Sequence, residues 1–437
     1  MHTDPQSSWT LTSRWVFPVG QAPLEQGTVA IDGERIVAVE PHGVRKPDRD
    51  FGNSAILPGF VNTHTHLDLS GLRGKIHTPG EFTTWLKEVI HHRRVLTPDH
   101  VLRDIENGLH ESTVHGTTLL GDIASGGLSW QALAHAPVRS VVFYELLGLP
   151  KTRAQAAWAG ACDWLRSHPA TEACRPGLSP HAPYSVRSSL YRAAANLARG
   201  RGIALATHLA ETRAESELLR DHRGPFVDFL KDVGVWDAEG LVSGYQKVLD
   251  LNAASWVALA PGGDPSPPSP LPASGERGEK SHPLLLAHGN YLDASVPFPP
   301  NAIVVYCPRT HAAFGHEPYP LRQFLKAGVR VALGTDSLAS NPDLSILEEA
   351  RFVRDRFPDI GGDIVLAMAT LWGAEALGCQ TETGSLTDGK SADLVALPLS
   401  NDDCADPHEL IFRSTMPVSD ILCRGKWVLD SRNAVIS

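Results

Sequence analysis

The sequence predicts an α/β protein in which a TIM-like (β/α)8 barrel carries a small β-sandwich domain built from both chain ends. Two observations predict this fold class. Apolar runs alternate with helical stretches through the middle of the chain, and short strand-like runs with turns occupy both ends. Eight central runs suit a closed barrel of parallel strands. They cover residues 55–61, 117–123, 139–147, 177–179, 203–207, 284–287, 302–306 and 330–333.

Helical periodicity appears in the segments that connect these runs. After the eighth run, Asn341 is predicted to cap a helix whose first position is Pro342, because these residue types are favoured at those two positions. Strands that alternate with helices form parallel sheets, so the connections support the barrel. The predicted earlier helices cover residues 82–96, 101–113, 152–167 and 186–198.

The two chain ends contain shorter runs separated by turns. Asp32-Gly33 lies between the runs 28–31 and 35–39, and an Asp-Gly pair in that setting is typical of a β-hairpin. Similar runs recur near the C-terminus at 392–397, 420–423 and 427–429. We therefore predict three parts: residues 1–57 and 386–437 form the β-sandwich domain, and residues 58–385 form the barrel.

Residues 261–282 interrupt the barrel pattern between the fifth and sixth strands. Proline, glycine and serine dominate this segment, so it contains too little apolar surface to form a core of its own. We predict a disordered insertion without a function, because surface loops tolerate insertions well.

Composition excludes several classes of protein. Acidic residues outnumber basic ones by 49 to 39, which gives a formal net charge of -10 and argues against a nucleic-acid partner. No apolar run is long enough to span a membrane. The six cysteines show no zinc or dithiol spacing, and the N-terminus shows no secretion signal. We expect a cytoplasmic protein whose partner is a small-molecule substrate. The sequence leaves the oligomeric state open, and a homodimer is compatible with it.

Residues with catalytic chemistry follow six of the eight predicted strands. The catalytic groups of barrel enzymes lie at the C-terminal ends of the strands, so these side chains are expected to share one site. His64 and His66 are two residues apart in an extended segment, point to one face and form half of a metal site. The other strand ends carry His181, His208, His288, His311 with Arg309, and Asp336.

Four motifs in this chain resemble those of the amidohydrolase superfamily. They are Pro-Gly-Phe-Val-Asn-Thr-His-Thr-His at 58–66, His-Leu-Ala-Glu-Thr at 208–212, Gly-Thr-Asp-Ser at 334–337, and the segment 384–394. Together they are similar to the mononuclear-metal aminohydrolases, a branch that includes cytosine, guanine, adenosine-type and S-adenosylhomocysteine-type deaminases and triazine chlorohydrolases. Members with two metals use a lysine from strand 4. The sequence has none there, so one divalent metal per chain is expected.

The resemblance and the residue chemistry imply the same metal ligands. His64, His66 and His208 offer three neutral nitrogens, and Asp336 offers an oxygen. Such a set suits zinc, our first expectation, or ferrous iron, with one position left open for water. A metal with an open position makes hydroxide available near neutral pH, which indicates a catalytic site.

Catalytic roles follow from the same motifs. Asp336 can accept a proton from the water, and the resemblance implies that His288 polarises that water. The resemblance also implies that Glu211 passes a proton to a ring nitrogen of the substrate, so that ammonia can leave. The expected activity is that of a deaminase, a hydrolase that acts on carbon–nitrogen bonds other than peptide bonds.

Substrate-binding residues are predicted with less support. The resemblance places His181 against the substrate and puts Glu81 and Trp85 at the start of a lid helix, although Trp85 fits ordinary helix packing equally well. Glu145, at the end of the third strand, either faces the pocket or caps a helix.

The segment after strand 7 departs from the pattern of the relatives. Arg309, His311 and His316 there could bind a carboxylate or carbonyl group. This departure weakens the transfer of the adenosine or S-adenosylhomocysteine assignment from the relatives. An adenine nucleoside stays the expected substrate, and 6-aminodeoxyfutalosine, which carries an aryl carboxylate, is compatible.

Two other readings remain open. The same site could hydrolyse a different C–N or C–Cl bond, as in guanine, cytosine or triazine chemistry. The chain could also be a non-catalytic binding protein, although the presence of all the expected catalytic residues argues against that.

Overall fold

The computed structural model describes residues 8–76, 80–253 and 282–432. Two sheets contain strands from the chain ends, in the orders β5-β4-β1-β6 and β18-β17-β16-β7-β2-β3. Those before the barrel are β1 Ser8–Thr12, β2 Trp15–Val16, β3 Leu24–Glu25, β4 Thr28–Asp32, β5 Arg35–Glu40, β6 Arg49–Asp50 and β7 Ser54–Pro58. Those after it are β16 Leu394–Pro398, β17 Asp420–Cys423 and β18 Lys426–Leu429.

The barrel is an eight-stranded parallel sheet in which each strand pairs with its neighbours in chain order. Its ends meet where the backbone N–H of Asp336 donates to the carbonyl of His64 at 2.9 Å, so the first and last strands lie side by side. The predicted barrel is confirmed. Its strands are β8 Phe60–Thr65, β9 Thr117–Ala124, β10 Arg139–Leu146, β11 Cys174–Pro180, β12 Leu205–Leu209, β13 Leu284–His288, β14 Ala302–Tyr306 and β15 Val331–Leu333.

Helices cover the outside of the barrel and its C-terminal end. They are α1 Phe82–Val95, α2 Pro98–Val114, α3 Trp130–Ala134, α4 Lys151–Ser167, α5 Ser188–Arg201, α6 Arg213–Asp221, α7 Pro225–Asp232, α8 Tyr245–Ala253, α9 Pro308–Ala313, α10 Leu321–Lys326, α11 Ile346–Arg356, α12 Gly362–Ala369, α13 Leu371–Ala376 and α14 His408–Arg413. Among the described helices, none combines the length and apolarity that a membrane crossing requires.

The two terminal sheets pack face to face, as the sandwich prediction required. Val29 and Ile31 of β4 share one buried cluster with Ile56 of β7 and Leu394 of β16. β7 pairs with β16 in antiparallel register, which ties the two ends of the chain together. The predicted hairpin is present, since β4 and β5 pair with Asp32 opposite Arg35.

Two details of the prediction were wrong. The apolar run 55–61 is two strands, because β7 belongs to a terminal sheet and β8 to the barrel, with Gly59 between them. The helix after strand 8 is capped by Ser345, whose hydroxyl accepts from the backbone N–H of Glu348. Asn341 instead donates its side-chain amide to the carbonyl of Thr335. The predicted insertion at 261–282 lies, except for its last residue, outside the described residues.

Candidate active site

Three buried histidines converge at the C-terminal end of the barrel. His64 lies in β8, His66 directly follows that strand, and His208 lies in β12. One ring nitrogen from each lies within 4.8 Å of the other two, and the Nε2 atoms of His66 and His208 are 3.2 Å apart. The strand ends therefore bring these three imidazoles together, as the sequence predicted.

Each of these histidines is neutral at ordinary pH. Burial, followed by the charges of neighbouring histidines, lowers the pKa of His64 and of His66 well below the usual value. Burial, with His181 beside it, lowers the pKa of His208 to about 3. Because Nδ1 of His208 lies 2.9 Å from the backbone carbonyl of His181, it carries the hydrogen and leaves the Nε2 lone pair free.

Asp336 adds a carboxylate from the last strand. Its Oδ1 lies 3.8 Å from Nε2 of His64 and 3.7 Å from Nε2 of His66. Its backbone φ is 58°, a left-handed conformation that is uncommon outside glycine and costs about 1–3 kcal/mol. The hydroxyl of Ser340 donates to its second oxygen at 3.3 Å. Backbone strain and this hydrogen bond together aim the carboxylate at the histidines.

His288 and Glu211 complete the polar floor of the site. Nε2 of His288 lies 3.5 Å from Oε1 of Glu211, and these two groups lie with Asp336 inside one 4.8 Å cluster. His288 also has a left-handed backbone, with φ at 68°, and its carbonyl accepts a hydrogen bond from Tyr319 at 2.9 Å. All three predicted catalytic side chains therefore face one another.

The donor set fits a divalent metal ion. Nε2 of His64 and Nε2 of His288 are buried without a hydrogen-bond partner, although burying such atoms unpaired costs free energy. Two neutral imidazole nitrogens that approach to 3.2 Å suggest a shared electrophile. Three nitrogens and one carboxylate oxygen are a ligand set typical of catalytic zinc and also accepted by ferrous iron.

Glu211 is held in place by a second buried carboxylate. Glu215 accepts the backbone N–H of Glu211 at 3.0 Å and that of Ala210 at 3.2 Å. Burial, then the charges of Asp336 and Glu215, raises the pKa of Glu211 well above its usual value. The Glu211 carboxyl therefore favours its protonated form, which a proton donor requires.

A cavity of about 300 Å³ opens onto these residues. That volume is at the lower limit of the range of about 300–1,000 Å³ for small-molecule sites, so a nucleoside-sized ligand suits it. One face of α1 forms a wall of the cavity with apolar side chains, and α7 and the segment after it add others. The apolar lining includes Phe82, Trp85, Leu86, Val89, Ile90, Phe229, Leu230 and Val233.

Two of the predicted substrate-binding residues line this cavity. Glu145 and His181 both do, and their side chains lie 3.9 Å apart. Oε2 of Glu145 is buried without a hydrogen-bond partner. His181 is oriented by Ser185, whose hydroxyl oxygen lies 2.6 Å from its Nδ1. Both residues stay candidates for contact with a substrate.

The structure does not bring Glu81, Arg309 or His311 into the cavity lining. Glu81 occupies the N-cap position of α1. The guanidinium of Arg309 binds the carboxylates of Asp343, at 2.6 Å, and Glu349, at 2.7 Å. With its charge neutralised inside the protein, Arg309 does not fit the anion-binding role that its position in the sequence indicated.

Three basic residues of the cavity lining were not identified from the sequence. Arg93 and Arg94 lie in the last turn of α1, and Arg153 lies in the first turn of α4. Basic residues are ordinary in the last turn of a helix, so no local pattern marks Arg93 or Arg94. Trp85, considered earlier as a lid residue, does line the cavity.

Comparisons with known proteins identify relatives of this chain. Residues 55–428 match the family model described as the amidohydrolase family. A 5-methylthioadenosine/S-adenosylhomocysteine deaminase of Moorella thermoacetica is 28% identical over 429 residues, which cover 93% of this chain and 86% of that protein. An aminodeoxyfutalosine deaminase of Nitratiruptor sp. is 27% identical over 421 residues, 93% and 95% of the two chains.

A solved structure shows the same fold. The crystal structure of Helicobacter pylori aminofutalosine deaminase in complex with methylthio-coformycin superposes with a TM-score of 0.81 at 22% identity. The match covers 96% of this chain and 100% of that one. The similarity therefore includes the terminal sheets as well as the barrel.

Proposed function

Because this chain belongs to the amidohydrolase family, we propose that it is a metal-dependent deaminase of adenine nucleosides. One observation carries the proposal: Glu211, His288 and Asp336 form one cluster beside three neutral histidines at the floor of a nucleoside-sized cavity. Relatives that align over most of the chain are named as deaminases of adenine nucleosides, which supports this substrate class.

The proposed metal is zinc, with ferrous iron as the alternative. His64, His66, His208 and Asp336 would hold it. A bound divalent metal lowers the pKa of its water toward about 7, which supplies hydroxide at neutral pH. No second metal is proposed, since the fourth barrel strand, β11, ends in Ser179-Pro180 and is followed by His181, without a lysine.

The side chains then divide the proton transfers between them. Asp336 takes the proton of the attacking water, and His288 holds that water in line with the ring carbon. Glu211 donates a proton to a ring nitrogen, which makes the neighbouring carbon electrophilic. Attack at this carbon gives a tetrahedral centre. Asp336 passes the water proton to the exocyclic nitrogen, which leaves as ammonia, while the hydroxyl group of the centre returns a proton to Glu211 and becomes the carbonyl of the product. His181 and Glu145 are proposed to orient the nucleoside in the cavity.

A combined measurement tests the proposal. Metal content by plasma mass spectrometry should give about one zinc or iron per chain, and ammonia should be released from a panel of adenosine, 5′-methylthioadenosine, S-adenosylhomocysteine and 6-aminodeoxyfutalosine. Guanine, cytosine and triazines serve as comparison substrates. Turnover of these alone would overturn the nucleoside assignment, and a protein that binds no metal and releases no ammonia would overturn the enzyme assignment.

A further inference from the structure

We propose that Asn62 is a positioning residue of the metal site, because its side-chain amide fixes the backbone at two of the proposed ligands, His64 and Asp336. Asn62 is fully buried and is not among the residues that line the cavity. It therefore acts through those two ligands and touches no substrate. The inference rests on the proposed function, since it concerns the metal ligands named there, and it adds a residue to that site.

The two ligands lie where the barrel closes. His64 is in β8, the first barrel strand, and Asp336 follows β15, the last. These strands are the two ends of the paired series, and between them the described residues form a single isolated backbone bridge, at Thr65 and Asp336. Such sparse backbone pairing leaves the direction of each ligand to side-chain hydrogen bonds.

The backbone is irregular at both ligands. Between Asn62 and Thr65, β8 has one residue more than the stretch of β9 that pairs with it. This β-bulge contains His64, and bulges change the direction of a side chain and are common beside active sites. Asp336 has the left-handed φ of 58° described above. Irregular conformations of this kind persist only where surrounding contacts hold them.

One amide group contacts both irregular segments. The Oδ1 atom of Asn62 accepts the backbone N–H of His64 at 3.4 Å and that of Thr335 at 3.2 Å. Its Nδ2 atom donates to the hydroxyl of Thr335 at 2.8 Å. Because a backbone N–H can only donate, these contacts also determine which end of the amide is the oxygen. Asn62 thereby joins the bulge at His64 to the residue that precedes Asp336.

Thr335 is also held by other contacts. Its backbone carbonyl accepts the side-chain amide of Asn341 at 2.6 Å, and its hydroxyl donates to the carbonyl of Asp336 at 3.1 Å. With Asn62 on its N–H, both polar groups of the Thr335 backbone are bound just before the chain turns into the left-handed conformation. Removing a group that orients metal ligands without touching the metal typically costs about 10–100-fold in metal affinity or activity.

Two variants remove this contact from opposite sides. Asn62→Leu replaces the amide by an apolar side chain of similar size, and Thr335→Val replaces only the hydroxyl that the amide binds. We expect the zinc dissociation constant, measured by competition with a chromophoric chelator, to rise by about 10–100-fold for Asn62→Leu and by less for Thr335→Val. The visible absorption of the cobalt-substituted proteins should change with the ligand geometry, and kcat should fall while KM stays near that of the wild type. Thr335→Ser keeps the hydroxyl and should restore the wild-type values.

A matched control removes an asparagine contact at the other end of the barrel. Asn301, which directly precedes β14, donates its side-chain amide to the carbonyl of His282 at 2.6 Å. Asn301→Leu should lower the melting temperature of the metal-free protein but leave its zinc affinity and cobalt spectrum unchanged. If Asn62→Leu does not fold, the comparison of Thr335→Val with Thr335→Ser decides the question.

The outcomes separate this inference from the proposed function. Unchanged zinc affinity and cobalt spectra in Asn62→Leu and Thr335→Val, or an equal loss of zinc affinity in Asn301→Leu, would overturn the positioning role. These measurements need no substrate. If the wild-type protein binds zinc but deaminates no nucleoside, the deaminase proposal fails, whereas the zinc titrations still support or refute the role of Asn62.

Discussion

Replacing Glu211 by glutamine is the sharpest test of the chemistry. The variant keeps the size of the side chain but removes the only proton of its carboxyl group. Glu211 is not among the four metal ligands, so metal content should stay near that of the wild type. The side chain is buried, and Glu215 fixes its backbone, so glutamine should occupy the same space.

The size of the effect follows from the neighbours of Glu211. General acid–base catalysis contributes about 10²–10⁴ in rate, or about 2.7–5.5 kcal/mol. Of the other carboxylates that line the cavity, Asp336 faces the histidines and Glu145 is paired with Arg93. Since neither can replace the lost donor, we expect kcat to fall by about 10³ or more.

Ammonia release with each metal-loaded variant measures this loss. Glu106→Gln removes an exposed carboxylate from α2 and should match the wild type. A Glu211→Gln enzyme that keeps wild-type kcat would refute the proton-transfer role. Such a result would instead favour a hydrolysis that needs no ring protonation, such as dechlorination.

Three further predictions concern the support of the site. Gly334→Ala would place a Cβ 2.8 Å from Cβ of His64, so we expect displacement of that ligand and less bound metal by mass spectrometry. Burial raises the pKa of Glu215 from 4.5 to about 8, so its contribution to stability is fully present below about pH 4.5 and is lost as the pH rises through about 8. Between pH 5 and pH 8, the melting temperature of the Glu215→Gln variant should therefore fall less than that of the wild type. Arg309→Ala should lower the free energy of unfolding by about 3–5 kcal/mol in urea titrations, because the buried Glu349 loses its cationic partner, while KM stays unchanged.

Control variants distinguish these effects from those that any substitution in the protein could cause. Gly200→Ala adds a methyl group in α5 with nothing within 4 Å, so its metal content should equal that of the wild type. Glu239→Gln changes an exposed carboxylate and should leave the pH dependence of stability unaltered. A Gly334→Ala protein with full metal content, a Glu215→Gln protein with an unchanged pH profile, or a stable Arg309→Ala protein with a raised KM would each contradict the corresponding argument.

The barrel and the cluster at its C-terminal end could be predicted because their signals are local. Buried parallel strands are continuous apolar runs, and His64, His208 and Asp336 each lie within three residues of the end of such a run. Because all strands of a parallel barrel end at the same rim, these residues could be predicted to lie together without knowledge of the side-chain packing. The same reasoning gave the antiparallel pairing near the chain ends, since the Asp-Gly turn at Asp32 specifies a hairpin.

The direction in which a side chain points was not available from local patterns. Arg309 follows a strand like the catalytic residues, but the carboxylates that bind it lie 34 and 40 residues further along the chain, in Asp343 and Glu349. The division of residues 55–61 into two strands could not be predicted from the sequence either. Both strands are fully buried, so no alternation of polar and apolar residues marks the change of sheet.

The single residue between β7 and β8 limits how the length of this chain can change during evolution. Gly59 is the only residue between the last strand of the N-terminal sheets and the strand that carries His64. Side chains alternate between the two faces of a strand, so a one-residue deletion there would put Thr65 and Leu67 where His64 and His66 now point. Homologous chains can vary in loops elsewhere, but this join should keep its length wherever the metal site is retained.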